Sequence, residues 1–254
     1  MRVSVVIPVY NEALAIYELL RRIFQADLKD SYEFEVIISD DGSTDETIDQ
    51  VKRFVADHPQ EGLQIKLHSG LINHGKGATL RAGFKLVSGE IIIIQDGDLE
   101  YSPADYTNLL KPFSNPNIHV VYGSRFLQGN PKGMKFLNLL ANKILTLTTQ
   151  VLYQQPLTDE ATGYKVFRSG LLKDVSLKCR GFEFCPEFTS KVLQFGYKIV
   201  EVPISYNPRG ILEGKKIKAT DGFIAVWWLL KLRLSFLLSK KSFHPTNSNV
   251  PMKR

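Results

Sequence analysis

The sequence is poor in cysteine and has no long apolar run that is free of charge. Its only cysteines are Cys179 and Cys185, and no histidine pairs with them at the spacing of a zinc site. This scarcity favours a reduced, cytosolic compartment. The longest apolar stretch, residues 222–238, is interrupted by Lys231 and Arg233 and falls short of the roughly 20 residues that a membrane span needs. We therefore expect no spanning helix.

The charge is unevenly distributed along the chain. Residues 1–131 carry 12 Lys and Arg against 18 Asp and Glu, whereas residues 132–254 carry 20 against 8. A basic C-terminal half suits a phosphorylated substrate, an anionic membrane leaflet or a nucleic acid, and charge alone does not choose among them. No aromatic stacking motif or helix-turn-helix accompanies the basic residues, so we expect no nucleic-acid partner.

Strand and helix patterns alternate through the first half. Residues 1–8 are apolar too briefly for a signal peptide and indicate a first strand. The predicted strands cover residues 3–9, 35–39, 63–68, 90–95 and 120–123, and the predicted helices cover 13–25, 44–56 and 78–86, with another after Pro103. Further helices at 135–153 and 183–195 and a late strand at 198–206 follow. This order predicts an open, mostly parallel twisted sheet flanked by helices.

Acidic residues follow the most strongly apolar of these strands. Four isoleucines at 91–94 predict a buried strand, and Asp96, Asp98 and Glu100 come directly after it. Ligands bind beyond the carboxyl ends of such strands, and clustered carboxylates repel one another unless a cation joins them. Hard oxygen ligands suit Mg²⁺ or Mn²⁺, which usually bridge to substrate phosphates. The stretch therefore predicts a metal site for a phosphate-bearing substrate, or else an acidic turn that caps the helix at Pro103.

Other turns between strands and helices carry polar residues that belong at the same edge. Asp41 could accept hydrogen bonds from base N–H groups and Glu12 could bind ribose hydroxyls, although Asp41 could equally belong to a turn. The segment 73–78 contains Gly75 and Gly77 and resembles half of a phosphate-binding loop, because glycines expose backbone N–H groups at a helix N-terminus. It lacks the complete Walker pattern.

Seven motifs in this order carry a family resemblance that covers most of residues 3–222. They are Ile7-Pro8-Val9-Tyr10-Asn11-Glu12, Asp40-Asp41-Gly42-Ser43-Thr44-Asp45, Gly75-Lys76-Gly77, Asp96-Gly97-Asp98, Ser124-Arg125-Phe126, Asp159-Glu160-Ala161-Thr162-Gly163-Tyr164 and Arg209-Gly210-Ile211-Leu212-Glu213-Gly214-Lys215-Lys216. Together they resemble family 2 glycosyltransferases, most closely the dolichol-phosphate (polyprenyl-phosphate) mannose synthase-like branch. Seven ordered motifs are far more specific than any one of them.

The resemblance implies the GT-A type of nucleotide-sugar-binding α/β fold and a role for each matching residue. The implied nucleotide-sugar-binding residues are Pro8, Tyr10, Glu12, Asp41, Lys76, Asp96, Gly97, Asp98, Arg125, Arg209 and Lys215, and the implied metal ligands are Asp96, Asp98 and Glu100. Glu100 departs from the glutamine that relatives often have, which puts its ligand role in doubt. The implied catalytic residues are Asp98, Arg209, Lys215 and Asp159. By the resemblance, Arg209 and Lys215 neutralise charge on the leaving diphosphate.

The role of Asp159 depends on the acceptor. A hydroxyl acceptor needs a base, and Asp159 is the residue that the resemblance offers. A lipid phosphate is already anionic near neutral pH and needs none, so Asp159 would then orient substrate or simply cap a turn.

The resemblance also implies a domain division. We expect a catalytic domain at 1–221, with a nucleotide-sugar half at 1–131 and an acceptor half at 132–221, then a helix at 222–241 and a disordered tail at 242–254. Apolar positions at helical spacing in 134–148 and 223–238, flanked by basic residues, belong either to the core or to a membrane surface.

The expected function is metal-dependent, inverting transfer of a hexose from GDP-mannose or UDP-glucose to polyprenyl phosphate, by an enzyme peripheral to the cytoplasmic face of a membrane. One alternative is a family 2 enzyme with a glycan or small hydroxyl acceptor. Another, of a different class, is a non-catalytic nucleotide-sugar-binding subunit. The sequence identifies neither the nucleotide base, nor the sugar, nor the oligomeric state.

Overall fold

The structure, a computed structural model, describes residues 1–26, 32–59, 64–209 and 219–241. The strands are Arg2–Val9 (β1), Glu33–Asp40 (β2), Gln64–Ser69 (β3), Ile91–Ile94 (β4), Val120–Ser124 (β5), Lys165–Arg168 (β6) and Ile199–Pro203 (β7). The α-helices are Ile16–Gln25 (α1), Thr47–Asp57 (α2), Lys76–Phe84 (α3), Tyr106–Leu110 (α4), Phe136–Tyr153 (α5), Phe184–Gln194 (α6) and Ala219–Lys241 (α7). Short 3-10 helices occupy Pro103–Asp105, Lys111–Ser114 and Ser169–Lys173.

These strands form one sheet in the order β3-β2-β1-β4-β6-β5-β7. Neighbouring strands are parallel except at β6, which runs antiparallel to both β4 and β5. The predicted mostly parallel sheet with flanking helices is therefore confirmed. The sequence analysis did not predict β6, because four residues are too few to show a strand's alternation.

Helices cover both faces of the sheet, since successive side chains of a strand point to opposite sides. Val3, Val5 and Ile7 of β1 pack in one core with apolar residues of α1, α2 and α4. Val6 packs in a second core with residues of α3 and α6. Both cores hold β1, β2 and β4 rigidly, and the carboxyl ends of these three strands meet at one edge.

Several predicted helices differ in their bounds from those observed; α2, for example, begins at Thr47 and not at residue 44. Residues 13–15 form a turn in which the carbonyl of Glu12 accepts the N–H groups of Ala15 and Ile16, so α1 begins later than predicted. The helix predicted after Pro103 is divided into a 3-10 turn, the five-residue α4 and a second 3-10 turn that contains Pro112. Proline supplies no backbone N–H, which interrupts the helical bonding.

The last helix packs on the body of the protein. Leu145 of α5 shares a small buried cluster with Ala225 and Leu229 of α7, and α7 also contacts α6. Because α7 begins at Ala219, it starts three residues before the predicted helix. Neither α7 nor any other helix in the described part of the chain is apolar enough over a sufficient length to cross a bilayer. The tail predicted at 242–254 lies outside the described residues.

Candidate functional site

A cavity of about 660 Å³ lies at the edge where β1, β2 and β4 end. Of the predicted site residues, those that line it are Pro8, Tyr10, Glu12, Asp41, Lys76, Asp96, Gly97, Asp98, Glu100, Arg125 and Arg209. Asp159 is fully buried and is not among the described lining residues. Lys215 lies outside the described residues, as does its motif after Arg209. Thus strand ends far apart in sequence deliver their polar residues to one space, as the parallel topology requires.

A guanidinium group lies among the carboxylates of this cavity. Arg209 Nη2 donates to Asp98 Oδ2 at 2.5 Å, and Nη1 donates to Glu12 Oε2 at 3.1 Å. Its Nε lies 4.0 Å from Glu100 Oε1. Burial raises the pKa of Asp98 to about 7, with Asp96 adding to the rise and Arg209 opposing it. The Arg209 guanidinium therefore stabilises a cluster whose negative charge is otherwise costly.

Glu100 holds the segment that carries Arg209. Its Oε1 accepts the backbone N–H of Arg209 at 2.9 Å, its Oε2 accepts the Tyr206 hydroxyl at 3.1 Å, and its carbonyl accepts the N–H of Asn207 at 2.9 Å. Three contacts from one residue fix the backbone that follows β7. Glu100 thus has a structural task in addition to the metal role implied by the resemblance.

Lys76 and Asp96 form a second ion pair in the cavity. Burial by itself lowers the pKa of Lys76, but Asp96, Cys185 and Asp98 together outweigh that effect and raise the pKa. Lys76 is therefore charged near neutral pH and faces the same space as Asp98.

The donor atoms at this end fit a hard divalent cation. They are carboxylate oxygens, which Mg²⁺ and Mn²⁺ prefer, and a cationic guanidinium already occupies them. Within the described residues, no three His, Cys, Asp or Glu side chains are arranged as a complete metal site. The carboxylates therefore suit a cation that takes its remaining ligands from water or substrate oxygens, as Mg²⁺ does.

The glycine-containing segment before α3 uses several of its backbone N–H groups within the protein. The N–H groups of His74 and Gly75 donate to the two oxygens of Asp41 at 2.8 Å, and the N–H of Ala78 donates to the carbonyl of Arg180 at 3.0 Å. The glycines also allow close packing: a Cβ on Gly75 would lie 2.6 Å from that carbonyl oxygen. The N–H groups of His74, Gly75 and Ala78 are therefore used within the protein, and a phosphate-binding role of this segment, which lines the cavity through Gly75 and Lys76, stays a prediction.

Arg125 lies between the acidic and apolar parts of the cavity, and Asp159 holds it. Arg125 Nε and Nη2 each donate to an Asp159 oxygen at 2.7 Å, and Nη2 also reaches Asn142 Oδ1 at 3.1 Å. Glu201 in turn fixes the backbone of Asp159, because its Oε1 accepts the Asp159 N–H at 2.9 Å. Burial by itself lowers the pKa of Arg125, but Asp159, Tyr101 and Tyr206 together outweigh it and raise the pKa well above its usual range. Asp159 is thus placed to orient Arg125, and the position expected of a base facing substrate is not observed.

The cavity also has an apolar part, built mostly by α5 and α7 with Phe182 from the segment before α6. Its lining there includes Leu137, Leu140, Ala141, Ile144, Leu145, Phe182, Gly222, Phe223 and Ala225. On the apolar stripe of α5, Leu145 is buried, as the core interpretation requires, whereas Leu137 and Ile144 are exposed.

Several residues in or beside the site are not predicted from the sequence, among them Tyr206, Asn142 and Glu201. The Tyr206 hydroxyl donates to Glu100. The Arg125 guanidinium lies over the Tyr206 ring, with Arg125 Cζ 5.2 Å from the ring centre. The position of Tyr206 at the end of the last predicted strand, 198–206, was a usable signal, because that strand ends at the same edge. Asn142 and Glu201 offered no signal, since each is one polar residue within a helix or strand.

Comparison with known proteins adds to this geometry. A family model described as glycosyl transferase family 2 matches residues 4–176. The chain is 27% identical over 213 residues to dodecaprenyl-phosphate galacturonate synthase of Rhizobium johnstonii, covering 82% of this chain and 60% of the relative. It is 28% identical over 218 residues to dolichol-phosphate mannosyltransferase of Pyrococcus furiosus, covering 85% and 59%. The chain therefore spans about three fifths of the length of these relatives.

Solved structures show the same fold. Glucosyl-3-phosphoglycerate synthase from Mycobacterium tuberculosis, in complex with Mn²⁺, UDP and phosphoglyceric acid, superposes with a TM-score of 0.65 at 19% identity, covering 92% of this chain and 78% of that one. This likeness confirms the GT-A fold. Because the family model matches more than half of the sequence, the chain belongs to glycosyl transferase family 2.

Proposed function

We propose that the chain is a metal-dependent, inverting glycosyltransferase that moves a hexose from a nucleoside diphosphate sugar to a polyprenyl phosphate at a membrane surface. One continuous cavity carries this proposal: it has carboxylates at one end, an apolar end between α5 and α7, and Arg125 between them. A cation with a nucleoside diphosphate suits the first end. An anionic head on an apolar tail suits the second.

At the acidic end, Pro8, Tyr10, Glu12 and Asp41 hold the nucleoside. Each Asp41 oxygen accepts one backbone N–H, and a carboxylate oxygen has a second lone pair for a base N–H. Lys76, beside Asp96, faces the diphosphate sugar.

Asp96 and Asp98 are the proposed metal ligands, with Glu100 as a third oxygen donor. Mg²⁺ or Mn²⁺ bound there supplies positive charge against the leaving diphosphate. The Mn²⁺ and UDP in glucosyl-3-phosphoglycerate synthase support this assignment. Arg209 and, by resemblance, Lys215 neutralise charge that grows on the diphosphate oxygens as the bond to the anomeric carbon breaks.

At the junction, Arg125 holds the acceptor phosphate. Asp159 is buried with both oxygens on Arg125, so a phosphate acceptor, which needs no base, fits better than a hydroxyl. The phosphate oxygen attacks the anomeric carbon from the face opposite the diphosphate, which inverts its configuration. The names of the two polyprenyl-type and dolichol-type relatives support a lipid acceptor.

The apolar end opens beside a surface that suits a membrane. Exposed apolar side chains on α5 and α7 include Phe136, Leu140, Leu147, Phe223, Trp227, Leu230 and Leu234. Lys231 lies 4.6 Å from the Trp227 ring centre, and such pairs of aromatic and basic residues suit the headgroup zone. We place the enzyme peripherally on the cytoplasmic face of the membrane.

Sugar transfer to lipid tests the proposal directly. Radiolabelled GDP-mannose, UDP-glucose and UDP-galacturonate are incubated with enzyme, Mg²⁺ or Mn²⁺ and a short polyprenyl phosphate in detergent. Label is expected in the organic phase with one of these donors. The Asp98→Asn variant removes a proposed metal ligand at nearly constant volume, and it should abolish transfer while leaving the circular dichroism spectrum unchanged.

Two other results would redirect the assignment. Metal-dependent donor hydrolysis without lipid product indicates a glycan or small hydroxyl acceptor. If no donor is consumed, hydrolysed or used for transfer, the protein is a non-catalytic binding subunit.

A further inference from the structure

The Arg209 guanidinium uses the same oxygens that a divalent cation needs. Asp98 Oδ2 lies 2.5 Å from Arg209 Nη2, and Glu12 Oε2 lies 3.1 Å from Nη1. Mg²⁺ sits about 2.0–2.1 Å from its oxygen ligands. The Asp98 carboxylate cannot accept this guanidinium and hold such an ion in the same place, because two cations at that separation repel strongly.

The surroundings make the contact a defined state. The side chains of Arg209, Glu12 and Asp98 are 18%, 10% and 11% exposed, so water screens their charges poorly. Glu100 also holds the backbone N–H of Arg209, and Tyr206 holds Glu100. The guanidinium can therefore leave Asp98 by side-chain rotation while its backbone remains attached to Glu100.

We infer that Arg209 is a resident counter-cation that must exchange with the divalent ion. Without donor, Arg209 neutralises Asp98 and Glu12. When the nucleoside diphosphate binds, the guanidinium transfers to its phosphate oxygens and frees Asp98 for the ion. This exchange rests on the proposed function, and it makes metal binding weak until the diphosphate offers Arg209 another partner.

The exchange predicts cooperativity between metal and nucleotide. Each ligand must increase the affinity of the other by the same factor, because binding linkage is reciprocal. Part of that factor comes from Arg209, so removing its charge should strengthen metal binding to the nucleotide-free protein and reduce the cooperativity.

Mn²⁺ binding, measured by electron paramagnetic resonance of the free ion, tests this without any turnover. The wild-type protein and Arg209→Gln are titrated with Mn²⁺ alone and with Mn²⁺ plus UDP or GDP. Without nucleotide, Arg209→Gln should bind Mn²⁺ about tenfold more tightly, within the range of ordinary coupling. Arg21→Gln is the matched control, because it removes one positive charge that pairs with Glu18 on the surface of α1, and its affinity should equal the wild type's.

Arg209→Lys provides a second variant should the glutamine protein fail to fold. A lysine keeps the charge but lacks the two-pronged contact to Asp98 and Glu12, so its Mn²⁺ affinity should rise to a smaller extent. Equal Mn²⁺ affinities in all folded proteins, together with normal nucleotide-dependent binding, would overturn the exchange and leave the proposed function intact. No Mn²⁺ binding in any protein, even with UDP or GDP, would overturn both.

Discussion

Asp159 and Arg125 form a two-pronged ion pair in which both carboxylate oxygens accept from the guanidinium at 2.7 Å. Asp159 Oδ2 also accepts the backbone N–H of Arg125 at 3.0 Å. A pair held in this way fixes the direction of the guanidinium, as bidentate geometry does in general. Asp159 is therefore a positioning residue for Arg125, which itself lines the cavity.

Replacing Asp159 with Asn should weaken acceptor use without removing a proton-transfer step. The amide cannot accept both guanidinium contacts, so Arg125 loses its fixed orientation. We expect the KM for polyprenyl phosphate to rise about tenfold or more, with the donor KM nearly unchanged, because the loss of one charged contact costs roughly 1.5–3 kcal/mol. Steady-state kinetics with each substrate varied in turn measures both values.

A double-mutant cycle separates positioning from base catalysis. If Asp159 acts through Arg125, then Asp159→Asn should add little to the loss already caused by Arg125→Ala. A base would behave differently: its removal should reduce kcat by several orders of magnitude and change the pH profile, whatever residue stands at position 125.

The carboxylates of the donor end were predictable, whereas their partners were not. Asp96 and Asp98 directly follow an apolar strand, and parallel strands deliver such residues to one edge. The pairing of Asp159 with Arg125 joins residues 34 positions apart, and a local pattern does not show it. Gly75 is a further example, because the sequence does not show that this glycine packs closely on the Arg180 carbonyl.

Gly77 packs too closely on another loop to accept a side chain. A Cβ there would lie 2.7 Å from Cys179 Sγ and 3.0 Å from the Cys179 carbonyl oxygen. Gly77→Ala should therefore cost about 1–3 kcal/mol of unfolding free energy, as overpacking usually does, and should raise the donor KM by displacing Lys76. Denaturant unfolding and donor kinetics measure these effects. Gly170→Ala, where a Cβ meets nothing within 4 Å, should change neither.

The exposed face of α7 should bind membranes. Trp227 is 54% exposed and Leu234 is 59% exposed, and transferring such side chains into lipid is worth about 1.5–3 kcal/mol each. Trp227→Glu and Leu234→Glu should each lower the affinity for anionic vesicles about tenfold in a sedimentation assay. Val55→Glu alters an apolar side chain of similar exposure, 47%, on α2 and should have no effect. Equal losses for all three would contradict a specific membrane face.

A buried carboxylate at the amino-terminal side of the sheet makes stability depend on pH. Burial raises the pKa of Glu35, but hydrogen bonds from Lys66, Ser4 and Ser88 outweigh it and lower the pKa from 4.5 to about 2. The unfolded chain then binds more protons between these values, so stability should fall as the pH drops through that window. Glu35→Gln should cost about 1–3 kcal/mol at pH 7, and the cost should shrink towards pH 2. Urea unfolding at a series of pH values measures both trends.

The residues of α7 that line the cavity limit how far water reaches into it. Gly222, Phe223 and Ala225 close the apolar end, although they lie far in sequence from the strand-end carboxylates of the acidic end. On the proposed function, a version of the protein that stopped before α7 would lose this wall and leave the sugar carbon open to the surrounding solvent. On the same proposal, such a shortened protein should hydrolyse the donor sugar and transfer none of it, which a donor-hydrolysis assay measures.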